Sequence, residues 1–192
     1  MRILPFLLLP LVLAGCIATG ESLRYVVEPA LEASTPRVRT SVGSISIVEV
    51  SLPEYAKDTK IFVEEGDNAL ADLENADWGD EPERAFANAL VGELTLITGA
   101  EVATDPWPLG GVPEAEVRVR VSHMVVRRDG TVSLAGHFSI RRDLAESRNK
   151  VELFAVSVPV TATGAEGITP ADVLRAHAAS WRELASEIAR AL

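Results

Sequence analysis

The sequence predicts an α+β fold, a mainly antiparallel sheet of about five strands with two amphipathic helices packed on one face. Three observations predict it. Apolar and polar residues alternate with period two in residues 44–52, 116–126 and 131–140, as they do along half-buried strands. Residues 86–97 and 173–192 instead repeat large side chains at helical spacing, which lines one helix face. Turn sequences, not long crossovers, separate the clearest strand segments, and that favours antiparallel neighbours. A chain of 192 residues, 47% of them hydrophobic, suits one domain with a substantial core.

The chain opens with Met1 and Arg2, followed by an apolar run over residues 3–14 that contains Pro5 and Pro10. A membrane-spanning helix takes about 20 apolar residues, so this run has the dimensions of a signal-peptide segment instead. It leads into Leu13-Ala14-Gly15-Cys16, which resembles the bacterial lipobox. The resemblance implies that residues 1–15 are a lipoprotein signal peptide and that Cys16 is the lipidation site. Cleavage would precede the cysteine, with a diacylglycerol on its sulfur and an acyl group on its new amino terminus. At about 0.8 kcal/mol per buried methylene, several acyl chains make such an anchor effectively permanent. Ile17 stands where inner-membrane lipoproteins carry a retention aspartate, so the same resemblance implies the outer membrane. Residues 16–40 read as a lipidated tether plus a first short strand at Tyr25-Val26-Val27, interrupted by Pro29 and Pro36. Its first half is expected to let the domain stand off the membrane.

From residue 41 onward the elements follow in order. The strand over residues 44–52 stops at Pro53, and residues 61–63 begin a second extended piece. Gly66-Asp67-Asn68 has turn chemistry, with residues 69–73 returning as the second arm of a hairpin. Asp80 is the expected N-cap of the first helix, with Glu83 completing a capping box and Gly99 ending it. Phe86, Leu90, Leu94 and Ile97 form its buried face. Pro106-Trp107-Pro108 and Gly110-Gly111 make a rigid turn and then a flexible one. In the next strand Val117, Val119 and Val121 point one way, and Arg118, Arg120 and Ser122 the other. Arg128-Asp129-Gly130 turns the chain into a partner strand with Val132, Leu134, Phe138 and Ile140 on one face. A charged connection over residues 141–150 precedes residues 151–160, apolar on both faces, as in a central strand or at a subunit contact. The last helix starts with Thr169 as N-cap, Pro170 at its first position and Asp172 at its third. Val173, His177, Trp181, Leu184, Ile188 and Leu192 form its stripe.

Composition excludes several kinds of chemistry. With 18 Lys+Arg against 28 Asp+Glu, the net charge of −10 argues against non-specific nucleic-acid binding. A single cysteine forms no intrachain disulfide and no multi-cysteine metal site, and the three histidines stand apart in sequence. His137 and Ser139 share a strand face, but no Gly-x-Ser-x-Gly elbow accompanies them, so the face reads as solvated and not as hydrolytic. His123 and His177 read as core or rim histidines. The carboxylates from Glu64 to Glu83 lack the spacing of a calcium loop and read as a solvated acidic edge that can steer a basic partner. No catalytic residue, no metal site and no cofactor beyond the lipid on Cys16 is expected. Arg118, Arg120, Arg127, Arg128, Arg141 and Arg142 give one side of the chain positive charge. They offer contacts to lipid headgroups, to an acidic partner or to the acidic edge of another copy. Trp181 is expected in the core, whereas Trp78 and Trp107 lie beside turns and are candidate partner or subunit contacts.

Several stretches, taken in order, resemble the ABC-type transport auxiliary lipoproteins, the group of paraquat-inducible protein C. They are residues 45–55 (ISIVEVSLPEY), residues 73–86 around Trp78, Asp105-Pro106-Trp107, the hairpin through Asp129-Gly130, and the closing helix from Thr169. Residues 41–192 would then be the domain of that family. Two stretches depart from its pattern. Ala56-Lys57-Asp58-Thr59-Lys60 follows the tyrosine, and Asp77 precedes Trp78 where an arginine is usual. The resemblance adds Tyr55 to the candidate contacts Trp78, Trp107, Arg118 and Arg120. It implies a non-enzymatic subunit, anchored at the outer membrane and facing the periplasm, that docks an intermembrane lipid-transport system. The implied partners are an MCE (mammalian cell entry) protein with its ABC-type permease and ATPase, and further copies of the chain itself. The alternative is a structural or secretion-channel lipoprotein of similar build with other envelope partners.

Overall fold

The computed structural model describes residues 22–27, 37–66, 69–142, 149–165 and 167–192. The expected signal peptide, Cys16, Pro29, Pro36, the Asp67-Asn68 turn and most of the charged connection before Lys150 lie outside the described residues. The elements are β1 (Leu23–Tyr25), β2 (Ser44–Ser51), a 3-10 turn (Glu54–Ala56), β3 (Lys60–Gly66), β4 (Ala69–Trp78) and α1 (Pro82–Thr98). They continue with β5 (Glu101–Thr104), β6 (Ala115–Val126), β7 (Thr131–Arg142), β8 (Lys150–Pro159) and α2 (Pro170–Ala191).

The fold is α+β, but its sheet is mixed and has eight strands, which corrects the expected antiparallel sheet of about five. β6 is the axis. β7 runs antiparallel along one of its edges, and β8 antiparallel beyond β7. The other edge of β6 is shared end to end by two parallel strands: β2 pairs with its first half and β3 meets it at Val126. β5 lies parallel beyond β2, β4 antiparallel beyond β3, and β1 parallel beyond β4. The unexpected strand is β5. β5, of four residues, returns beside β2 only because the chain has crossed over through α1, and four residues offer too little alternation to register as a strand. β4 is longer than the expected arm because polar Glu74, Asn75 and Asp77 mask its second half. Asn75 takes a φ of 58°, a left-handed conformation that asparagine tolerates better than most residues.

Both helices bury their apolar stripes. Phe86, Leu90, Leu94 and Ile97 of α1 and Val173, Trp181, Leu184 and Ile188 of α2 join Ile45, Ile47, Val117, Val119, Phe138 and Ile140 of the sheet in one core. Phe86 stacks on Trp181 with ring centroids 4.4 Å apart, and Arg182 of α2 reaches the buried Glu93 of α1 at 3.4 Å. The α2 start matches its expectation, with reciprocal capping between Thr169 and Asp172. The Asp172 carboxylate accepts from Thr169 N (2.8 Å), Thr169 Oγ1 (2.7 Å), Thr163 N (3.1 Å) and Thr163 Oγ1 (2.9 Å) and pairs with Arg175. Those hydrogen bonds, Thr169 first, hold it well below the usual carboxylate range.

The start of α1 differs from its expectation by one residue. Pro82 occupies the first turn, where its fixed φ suits a helix start, so Glu81 becomes the N-cap and accepts from Arg84 N at 3.1 Å. Asp80 instead accepts from Glu81 N at 2.8 Å and pairs with Arg84. Glu83 does not close a capping box; its carboxylate accepts from Leu52 N at 2.9 Å and ties α1 to the end of β2.

β6 carries a bulge between Val121 and His123, opposite Gly136 and Ala135 of β7. The bulge explains why His123 breaks the valine alternation. Burial first, then the charge of Arg127, lowers the pKa of His123. Backbones approach closely here, and a Cβ on Gly136 would lie 2.2 Å from Arg120 O.

Candidate docking surface

Alternation along β6 sends the valines into the core and the arginines to the opposite face of the sheet. Strand register then decides what stands beside those arginines. One row across four strands reads Glu49, Arg118, Ser139, Val151, and the next reads Ser51, Arg120, His137, Leu153. These two rows frame a shallow groove of about 260 Å³ lined by Glu49, Ser51, Arg118, Arg120, His137, Ser139 and Val151.

The charges in and beside the groove are unevenly matched. Glu116 accepts from Arg141 Nε at 3.1 Å and lies 3.5 Å from Arg118, so its carboxyl is held below the ordinary range, Arg141 contributing most. Arg120 makes no ion pair among the described residues. The groove therefore offers cationic donors beside an exposed apolar rim, a combination that fits anionic or amphipathic ligands and partner surfaces. Neither the His137 nor the Ser139 side chain makes a hydrogen bond among the described residues, so no nucleophile–base pair is assembled there. Among the described residues no three His, Cys, Asp or Glu side chains converge as metal ligands.

The rim comes from β8. Among the described residues this strand pairs with β7 alone and so lies at an edge, not in the central position that its sequence allowed. Phe154 and Val156 face the core, while Val151 and Leu153 are 71% and 85% exposed. Glu49, Ser51, Val151 and Leu153 were invisible as neighbours of the arginines because alternation fixes a face but not which strands pair.

The aromatic candidates do not line this groove. Tyr55 sits half-buried in the 3-10 turn that separates β2 from β3, edge-on to Phe62 with centroids 5.9 Å apart. Its hydroxyl accepts from Met124 N at 3.0 Å, at the point where β6 has left β2 behind and not yet reached β3. Trp78 is 3% exposed, edge-on to Phe86 at 5.3 Å and to His177 at 5.4 Å, so the folded monomer presents almost none of it to a partner. Trp107 is half-buried in the connection after β5, near the exposed Leu109 and Val112 in sequence. His177 is buried, neither ring nitrogen has a hydrogen-bond partner among the described residues, and burial pushes its pKa down to about 4.

A second cleft, of about 240 Å³, opens between β1 and the start of α2, lined by Tyr25, Val26, Val27, Ala171, Leu174, Arg175 and Ala178. Among the described residues no helix is long and apolar enough to cross a membrane.

Comparison with known proteins bears on what such a surface serves. A family model described as the ABC-type transport auxiliary lipoprotein component matches residues 25–189. No curated protein is a significant match. Among solved structures, the chain is similar to one titled only as an uncharacterized protein, at 18% identity and a TM-score of 0.63, covering 81% of this chain and 97% of that one. It is also similar to protein XCC0632 from Xanthomonas campestris, at 16% identity and a TM-score of 0.56, covering 88% and 90% of the two chains. At these identities the likeness carries the fold alone.

Proposed function

The chain belongs to the family of ABC-type transport auxiliary lipoprotein components, and from that premise we propose that it is the outer-membrane-anchored, periplasm-facing subunit of an MCE-type lipid-transport system. The observation that carries this reading is the pairing of a family match over residues 25–189 with a lipobox ending at Cys16. Acyl chains on Cys16 fix one end of the domain to lipid. The domain itself docks the transport complex, whose ATPase supplies the energy. The Arg118–Arg120 groove is the receiving surface in this reading, because it combines cationic donors with exposed apolar edge residues. Self-association through β8 belongs to the same proposal: among the described residues the strand has an unpaired edge flanked by Val151 and Leu153, a template for pairing with another copy.

The test is affinity purification of the tagged, full-length lipoprotein from detergent-solubilised envelopes. The proposal expects an MCE-domain protein, with its permease and ATPase, in the eluate, and greater detergent sensitivity in cells lacking the lipoprotein. Repeated purifications without any transport component would overturn the partner assignment.

A further inference from the structure

We infer that the β1–α2 end of the domain, where Val26 lines the second cleft and Leu23 of β1 and Ile168, just before α2, are exposed, rests on the phospholipid surface that holds Cys16. The inference depends on the acylation proposed above and goes beyond it, because an anchor alone does not orient what it anchors. The first support is the place where the tether joins the fold. β1 is registered on β4 from Leu23 opposite Ala76 to Tyr25 opposite Trp78, and Gly79 N donates to Tyr25 O at 2.6 Å. A Cβ on Gly79 would lie 3.0 Å from that same oxygen, so the strand is seated tightly. The attachment point at Ser22 therefore belongs to the body of the domain.

The second support is reach. Ser22 stands six positions after Cys16 in sequence, and at about 3.3–3.6 Å per residue that stretch spans about 20 Å at full extension. α2, with 22 residues, is about 33 Å long. The tether is shorter than the domain it carries, so the end bearing Ser22 stays close to the lipid whatever the rest does. On this reading the end that bears Ser22 rests on the lipid, and the tether does not hold it away.

The third support is the chemistry of that end. Leu23, Val26 and Ile168 are 61%, 68% and 57% exposed. Val26 lines the cleft, Leu23 precedes it on β1, and Ile168 stands just before the cap of α2. Within the cleft, Tyr25, Val27 and Leu174 supply apolar walls, and Arg175, held by Asp172 and Thr163, stands as a fixed cation in its lining. Apolar side chains beside a tyrosine and an arginine match the boundary between headgroups and acyl chains.

The test uses full-length acylated protein reconstituted in vesicles of phosphatidylethanolamine and phosphatidylglycerol. Cys16 is the chain's one cysteine, and thioether formation blocks it. Val26→Cys, Ile168→Cys and, at the opposite edge of the sheet, Leu153→Cys then each accept one environment-sensitive fluorophore. All three positions are exposed, so the substitutions leave the core intact. Nitroxide-labelled lipid is expected to quench the labels at 26 and 168 about threefold more strongly than the label at 153, with blue-shifted emission in vesicles. Equal quenching at 168 and 153 in protein that floats with the vesicles would overturn the contact and leave the anchor standing. Protein that fails to float would overturn both. A blue shift that depends on protein concentration, without lipid quenching, would assign the patch to a second copy and overturn the lipid contact.

Discussion

Replacing Tyr55 by Phe removes one oxygen from the place where the sheet changes partners. Between Arg120, the last residue of β6 paired with β2, and Val126, where β3 takes over, the edge of β6 has no strand neighbour among the described residues. Met124 is 4% exposed there, and its N–H is satisfied by the Tyr55 hydroxyl at 3.0 Å. Phenylalanine keeps the ring and its edge contact with Phe62, so packing is preserved and the lost acceptor is isolated as the variable. A buried donor left without a partner costs about 1–3 kcal/mol. For a domain of this size about 2 kcal/mol corresponds to a fall of about 4–8 °C in Tm. Urea denaturation of wild type and Tyr55→Phe, with tryptophan fluorescence as the probe, should show a lower midpoint at unchanged slope. Tyr55→Leu should cost more, because the ring contact goes as well. A Tyr55→Phe protein as stable as wild type would show that Met124 N–H has another acceptor.

Gly136→Ala should destabilise the β6–β7 pair by about 1–3 kcal/mol, since its Cβ meets the backbone oxygen of Arg120; the same urea curves measure it. His177 is buried neutral, with a pKa of about 4 against about 6.5 when unfolded, so below pH 6.5 the unfolded chain binds the extra proton. Its contribution is intact above pH 6.5 and is lost as pH falls towards 4, by about 3 kcal/mol in all. His177→Leu should therefore flatten that part of the stability–pH profile relative to wild type while leaving stability at pH 7.5 unchanged or higher, because two unpartnered nitrogens leave the core. The double variant Arg118→Glu/Arg120→Glu should fold normally, as both side chains face solvent, yet recover about tenfold less transport complex in the affinity purification.

Much of this fold is legible residue by residue. The valine–arginine alternation of β6, the Asp129-Gly130 turn and the Thr169-Pro170-x-Asp172 start of α2 each encode their local structure without help from distant contacts. The sheet as a whole is less legible. Parallel pairings such as β2 with β5 depend on where α1 delivers the chain, and β5 carries too few residues to show a period. Aromatic residues beside turns mislead for a related reason. Trp78 ends a strand next to Gly79, which looks exposed in sequence, but α2 returns about a hundred residues later and covers it with His177. Tyr55 reads as a surface residue of a proline turn until β6 is seen to need its hydroxyl. For the groove, Arg118 and Arg120 are visible as a charged strand face, whereas Glu49, Ser51 and Leu153 join them only through register. The lipidation proposed at Cys16 is different again, since it rests wholly on a local sequence signal.

The mass of the amino-terminal peptide from protein extracted from cell envelopes tests the account at its root. The expected result is a chain that begins at Cys16, heavier by a diacylglyceryl group and an amide-linked acyl chain, with Cys16→Ala moving the protein to the soluble fraction. A free thiol on Cys16, or wild-type protein released by osmotic shock alone, would contradict it.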